Sequence, residues 1–323
     1  MKFVLAPLAG FTDAPFRRLC LEGGADLAFT EMVSAAGLAH GSAPTRHMLE
    51  TMDGEGAVAC QIFGADEREV AAAAAIVQRD CRQSFRELNL NAGCPMSKVT
   101  RSGSGAKLIE RPELIARLLR AMAENTDLPV TLKTRLGPRP GENAVFEILD
   151  AAEREGAKGI VVHARYTSQL HGGSVGLETL AEVVRRAKIP VTGNGSVTDA
   201  RSAAAMAATG VAAIMVGRAA LKEPGIFLRL RSGEEPPPPD VDRARRLCRL
   251  HLGYLLQFRE QLAARFPGDR IPDFAGWALS KLRTHLFRYF GGCPGAAALR
   301  GRIASVRTLA EADALLAPQG VMV

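Results

Sequence analysis

PVTGNGSVTDARSAAAMAATGVAAIMVGR, residues 190–218, holds two short apolar runs, Pro190–Gly193 and Ala213–Val216, on either side of an alanine-rich stretch, Asp199–Thr209. The runs have strand length and glycine boundaries. The stretch between them opens on an aspartate suited to cap a helix, so the segment reads as strand–helix–strand. Both strands stop in a glycine turn, Gly193-Asn194-Gly195 and Val216-Gly217-Arg218. Outward from here the same unit recurs. Further strands are read at Phe3–Ala6, Asp26–Thr30, Val58–Ile62, Glu87–Leu90, Val130–Lys133 and Gly159–His163, with amphipathic helices at Glu67–Gln78, Pro112–Glu124, Ala144–Glu155 and Leu177–Ala187. Eight strands with a crossover after each describe a (β/α)8 TIM barrel of the α/β class. The competing doubly wound open sheet is expected to show a glycine-rich dinucleotide fingerprint after an early strand. The first turn here, Ala9-Gly10-Phe11-Thr12-Asp13, has none.

The pattern breaks at Ser232-Gly233-Glu234-Glu235-Pro236-Pro237-Pro238-Pro239-Asp240. Consecutive prolines continue neither a helix nor a sheet ladder, so this is a stiff connector. It divides the 323 residues into a barrel over 1–232, a linker over 233–240 and a further domain over 241–323. That domain reads as a small all-α bundle, with helices at Arg243–Ala264, Ala275–Phe290, Ala296–Ser305 and Leu309–Leu316. It also holds the whole formal charge of +7: residues 1–240 balance 28 Lys+Arg against 28 Asp+Glu, whereas 241–323 carry 13 against 6. Such asymmetry suggests a polyanionic partner, an Arg-rich solvated surface being the alternative. Six cysteines without a C-x-x-C pair argue against a disulfide framework or a zinc site and for a reducing cytoplasm. No apolar run is long enough for a signal peptide or a membrane span. The expectation is a monomeric cytoplasmic protein without metal.

In a TIM barrel the active site lies at the carboxyl ends of the strands. Polar residues gather there: Thr30-Glu31, Gln61, Asn89 with Asn91, Lys133 with Arg135, His163 with Arg165, Asn194, and Gly217-Arg218. Amides and cations in succession describe a pocket for a polar anionic ligand. The glycine turns after strands seven and eight stand where such barrels bind phosphate, with backbone N–H groups free to approach, although tight turns alone would look the same. Lys133 ends an apolar strand and, pointing inward, needs an anionic partner. After strand four comes Asn89-Leu90-Asn91-Ala92-Gly93-Cys94-Pro95, with Cys94 in a turn at the rim. The other five cysteines fall in predicted helices or strands or in the carboxy-terminal segment, and read as small buried hydrophobes. An unperturbed thiol is mostly protonated at neutral pH and able to donate a proton. A plain tight-turn cysteine is the competing reading.

With these residues in view the chain resembles a dihydrouridine synthase, over nearly its full length. The resemblance runs from Leu5-Ala6-Pro7-Leu8-Ala9-Gly10-Phe11-Thr12-Asp13-Ala14-Pro15-Phe16-Arg17-Arg18 through Thr30-Glu31-Met32, Gln61-Ile62-Phe63-Gly64, the Asn91–Pro95 loop with Lys98-Val99, and Gly105-Ala106-Lys107-Leu108. It continues in Lys133-Thr134-Arg135-Leu136-Gly137, His163-Ala164-Arg165, Gly193-Asn194-Gly195 and Gly217-Arg218. It implies FMN-dependent, NADPH-driven reduction of the C5–C6 bond of particular uridines in transfer RNA, ribosomal RNA being the other candidate substrate. Hydride would pass from flavin N5 to C6 and a proton from Cys94 to C5. It further implies that Pro7, Leu8, Ala9, Gln61, Lys133, His163, Asn194, Gly195, Ser196, Gly217 and Arg218 hold the cofactor, and that Asn91, Lys98, Arg135 and Arg165 meet the substrate. Ala164, Tyr166 and Ser196 depart from the usual Gly, Thr and acidic residue.

The target base must leave its stack to meet a buried flavin. Cations of the helical domain, Arg243, Arg245, Arg246, Arg283 and Arg288 among them, are expected to bind the RNA backbone. Two rivals share parts of this pattern: a dihydroorotate-type oxidoreductase, which needs no basic domain, and an RNA-binding barrel that has lost its flavin, against which the Gln61, Lys133, Asn194 and Arg218 set argues.

Overall fold

Eight parallel strands close into a barrel in sequence order, β8 pairing back on β1, in a computed structural model that describes residues 1–317. Residues 318–323, the end of the predicted helical domain, lie outside the described residues. β1 (Lys2–Leu5) leads to α1 (Ala14–Glu22), β2 (Leu27–Ser34) to the short α2 (Ala35–Ala39) and α3 (Ala43–His47), and β3 (Val58–Phe63) to α4 (Glu67–Cys81). β4 (Glu87–Ala92) is followed by α5 (Ser97–Thr100) and α6 (Pro112–Ala123), β5 (Val130–Arg135) by α7 (Val145–Arg154), and β6 (Ile160–His163) by α8 (Leu177–Arg186). β7 (Val191–Asn194) leads to α9 (Ala200–Ala207), and β8 (Ala213–Val216) to α10 (Arg218–Lys222) and α11 (Ile226–Ser232). The TIM barrel read from the strand count is the observed fold.

Period-two alternation builds it. Leu5, Ile62, Leu90, Leu132, Val162 and Val216 join the large apolar cluster under the helices. Val4, Phe29, Ala59, Val161 and Met215 form a separate cluster inside the barrel. Level with Ala59, at the start of β4, a polar file begins. Thr131 donates to Glu87 (2.9 Å), Asn89 to Thr131 (2.8 Å), Gln61 to Asn89 (2.7 Å) and Asn91 to Gln61 (2.8 Å). This buried file of hydrogen bonds satisfies every amide it contains and points at the carboxyl-terminal rim.

Three strands run further than their apolar residues suggest. β2 passes Thr30-Glu31 through a register shift between Phe29 and Met32 and ends at Ser34. Asn91 and Arg135 are ladder residues, opposite Lys133 and His163. Pairing with one neighbouring strand, rather than hydrophobicity, sets these ends.

Residues 233–240 carry neither helix nor strand, and Asp240 caps α12 (Val241–Arg265). A π-helical turn at Phe274–Ala278 opens α13 (Leu279–Tyr289), where one continuous helix was predicted. α14 (Ala296–Ser305) and α15 (Leu309–Leu316) follow. α12 lies on α1, and α13 on α10. Their apolar faces merge with the barrel's: Phe16, Leu19 and Cys20 share one cluster with Cys248, Leu252, Leu255 and Leu286. Among the described residues, no helix is long and apolar enough to cross a membrane.

Candidate active site

A cavity of about 490 Å³ opens at the carboxyl ends of the strands, within the size range of small-molecule sites. Pro7, Leu8, Ala9, Asn91, Cys94, Lys133, Arg135, His163, Arg165, Asn194, Gly195, Ser196, Gly217 and Arg218 all line it. Two expected residues do not. Gln61 is fully buried one layer below, its amide committed to Asn89 and Asn91, so it supports the site from beneath. Lys98 projects from α5 into solvent. Phe11, Met32, His171 and Arg288, which the sequence reading did not place here, complete the wall. Arg135, Arg165, Arg218 and Arg288 supply four cations, Lys133 adds a fifth basic group, and no lining residue is an acid.

Five of the six cysteines are buried; Cys94 is partly exposed. Its loop is pinned from three sides. Asn91 Oδ1 accepts from the N–H groups of Cys94 (3.0 Å) and Gly93 (3.2 Å). Arg135 Nε donates to the Gly93 carbonyl at 2.7 Å, and the Cys94 carbonyl accepts from Ala106 N–H at 2.8 Å. Gly105 lies behind at φ +61°, where a Cβ would stand 2.6 Å from that same carbonyl oxygen. Only glycine permits so close an approach.

The arginines do more than face a ligand. Arg135 donates to the Leu170 carbonyl (2.8 Å), Arg165 to those of Gly172 and Gly173 (both 2.8 Å), and Arg218 to that of His171 (3.2 Å). Together they hold the β6–α8 connection over the cavity. Arg165 also donates to Ser196 Oγ at 2.6 Å, and Ser196 takes a left-handed φ of 53°. Gly195 beside it has φ +133°, with a Cβ excluded by Val175 at 2.9 Å and by the His163 ring at 3.2 Å. Of the other departures from the usual pattern, Ala164 is buried and Tyr166 donates to Asn143 Oδ1 at 2.6 Å.

Comparison with known proteins supplies the deciding observation. Residues 4–321 match the family described as dihydrouridine synthase (Dus). The chain belongs to the dihydrouridine synthase family. It is 35% identical over 265 residues to tRNA-dihydrouridine synthase B of Klebsiella pneumoniae, covering 80% of this chain and 82% of that protein. It is 34% identical over 262 residues to tRNA-dihydrouridine synthase B of Escherichia coli K12, covering 80% and 81%. In backbone it is similar to morphinone reductase, with TM-score 0.54 at 15% identity over 74% of this chain and 87% of that one, and to morphinone reductase in complex with tetrahydroNAD, with TM-score 0.53 at 14% identity over 74% and 88%. These two show the fold. Family membership makes this dihydrouridine synthase a flavin-dependent oxidoreductase.

The cavity of this family member fits an anionic, phosphorylated cofactor. Lys133 has an amide rather than a carboxylate as partner, Asn194 Oδ1 at 3.3 Å, and Asn194 is itself fixed by donating to the Met215 carbonyl at 2.9 Å. Burial, reinforced by the Arg135 charge, pulls the Lys133 amine down to about 7. Burial first, then Lys133 and Arg135, holds His163 well below the ordinary imidazole range, so its ring is neutral. An anion beside Lys133 would restore its proton. The cofactor-free dihydrouridine synthase should therefore gain stability as pH rises from about 7 toward the ordinary lysine value, because over that window the unfolded chain binds more protons than the folded one. Urea unfolding of the flavin-free protein between pH 7 and pH 9 should show this slope, and Lys133→Met should flatten it; equal slopes would mean that the amine is not desolvated.

Proposed function

We propose that the protein reduces uridine in transfer RNA to 5,6-dihydrouridine, with FMN as bound cofactor and NADPH as reductant. The observation that carries this reading is an acid-free cavity with five basic side chains around it and one accessible thiol on its wall. The tRNA-dihydrouridine synthases B that the chain resembles point to the same substrate. FMN held there, re-reduced by NADPH, would supply hydride to uracil C6. Lys133, His163, Asn194 and the backbone of Pro7, Leu8 and Ala9 would surround its ring. The Gly195 and Gly217 turns, with Ser196 and Arg218, would take its phosphate. Asn91 and Arg135 fix the turn from which the Cys94 thiol gives a proton to uracil C5, and Arg165 orders the wall on the substrate side. The pinned loop holds this side chain at the cavity wall, where it would supply the proton. The net change is uridine plus NADPH and a proton giving dihydrouridine and NADP⁺.

The test is incubation of purified yellow protein with NADPH and an unmodified transfer RNA transcript, followed by mapping of dihydrouridine. NADPH oxidation without any dihydrouridine would overturn the reading. Comparing RNA from cells with and without the gene identifies the position modified.

The helical segment is the proposed RNA contact, through fewer arginines than its composition suggests. Arg245 is buried and paired with Asp242 at 3.1 Å, and Arg283 spends its guanidinium on the Val306 carbonyl. Arg243, Arg246 and Arg249 are exposed along one flank of α12. Replacing these three by Gln should weaken RNA binding and reduce the salt dependence of log K by about 0.7–0.9 per lost phosphate contact, with flavin content unchanged. Unaltered affinity would move the RNA to another face.

A further inference from the structure

We propose that a second cavity, between the barrel and the α12–α13 face, takes an unstacked guanine of the same RNA substrate, with the Glu31 carboxylate on its edge, the Asp13 charge beside it and Trp277 at its face. This rests on the reading of the protein as an RNA-modifying enzyme. The cavity measures about 620 Å³. It adjoins the catalytic one through shared segments: Phe11 and Met32 line the first, Asp13 and Glu31 the second. A nucleotide near the target uridine can enter it while that uridine occupies the catalytic cavity.

The charges in it are unevenly matched. Arg17 is paired with Glu55 (2.5 Å), Glu50 with Arg265 (2.9 Å) and His47 with Asp269 (2.8 Å). Asp13 and Glu31 share one ammonium, Lys281, at 3.5 and 3.9 Å. Asp13 is 7% exposed; its Oδ1 caps α1, and its enclosed Oδ2 has the Lys281 ammonium at 3.5 Å as counter-charge. Two carboxylates sharing one ammonium favour a ligand rich in N–H donors, which Glu31 is placed to accept; the exposed Arg270 also lines the cavity. Apolar residues complete the lining: Trp277 leans on Phe258 with ring centroids 6.1 Å apart and planes tilted by 40°, and Leu262 and Ile271 line the cavity with them. A planar donor-rich group suits both sides. Guanine presents N1–H and its exocyclic amine side by side, matching the two oxygens of a carboxylate, while its face stacks on the indole. Adenine would turn an acceptor nitrogen toward the acids, and uracil offers a single N–H there.

Trp277 is the chain's only tryptophan, so its emission reports on this cavity in the wild-type holoenzyme. Titration with GMP should quench it saturably. IMP, which lacks the amine, should bind at least about 10-fold more weakly through loss of a hydrogen bond to a charged group, and AMP and UMP more weakly still. Glu31→Gln keeps an acceptor for Gly10 N–H and should weaken GMP by a similar factor. Emission unmoved by every nucleotide at millimolar concentration, or moved by spermidine alone, overturns the proposal. Uridine conversion is measured on the same preparations. Conversion with a silent Trp277 removes this pocket alone, whereas GMP quenching without conversion keeps the guanine site and removes the functional reading beneath it.

Discussion

Cys94→Ala is expected to lower turnover on transfer RNA by about 100- to 10,000-fold, the range typical of a lost general acid, with flavin content and RNA affinity at wild-type levels. The size of the effect follows from the architecture. The loop is fixed by Asn91, Arg135 and Ala106 through its backbone, so removing the thiol leaves every one of those bonds in place. Elsewhere on that wall Arg135 is tied to backbone carbonyls, His163 is held neutral by its surroundings, and the Lys133 amine is turned to Asn194. Cys94→Ser, similar in volume and a poorer acid, separates acidity from packing and should also be slow. Single-turnover dihydrouridine formation, with the visible flavin spectrum as control, makes the measurement. Product formed by the alanine variant at the wild-type rate would leave the proton source elsewhere.

Arg17→Met should destabilise the fold by about 3–5 kcal/mol, the cost of leaving one partner of a buried ion pair uncompensated. Arg17 and Glu55 are 1% and 3% exposed, and Arg17 also donates to the carbonyls of Thr12 (3.0 Å) and Glu50 (3.1 Å). One guanidinium therefore organises the turn after β1 and the segment before β3. The double variant Arg17→Met, Glu55→Gln should recover part of the loss, since the stranded charge is gone. Denaturant unfolding reads both. A single variant within about 1 kcal/mol of wild type would show that water reaches the pair.

The barrel was legible because strand-length apolar runs recur with glycine turns between them, a signal carried by backbone requirements at many positions. Its polar layers were less so. Gln61 and Asn91 both sit at predicted strand ends, yet one lines the cavity and the other lies beneath it. Alternation tells which residues point inward, but not at what height along the axis. Cys94 was readable from its turn and from the placement of the other cysteines in elements that bury them. Arg135 and Arg165 were read as facing a ligand, but each guanidinium has several donors, and the nearest acceptors are the carbonyls of a loop whose path no local pattern discloses. Arg288 was assigned to RNA on charge, and its place at the cavity wall, over the Phe11 ring at 4.4 Å, depends on how α13 docks. The second cavity left no trace in the sequence, because Asp13, Glu31, Lys281 and Trp277 meet only through that docking.

The run of prolines suggests a place to cut the molecule in two, and the merged apolar faces of α1 and α12 mean that such a cut leaves two raw surfaces. Barrel alone would expose the flank that Leu252, Leu255 and Leu286 cover, and the released helices would have no floor to fold upon. Heating should accordingly show one cooperative melt for the whole chain. On the proposed reading, the part that would grip RNA and the part that would perform the reduction are thus one folded object, and a change of substrate would be made by altering the helices in place, with no exchange of a detachable module.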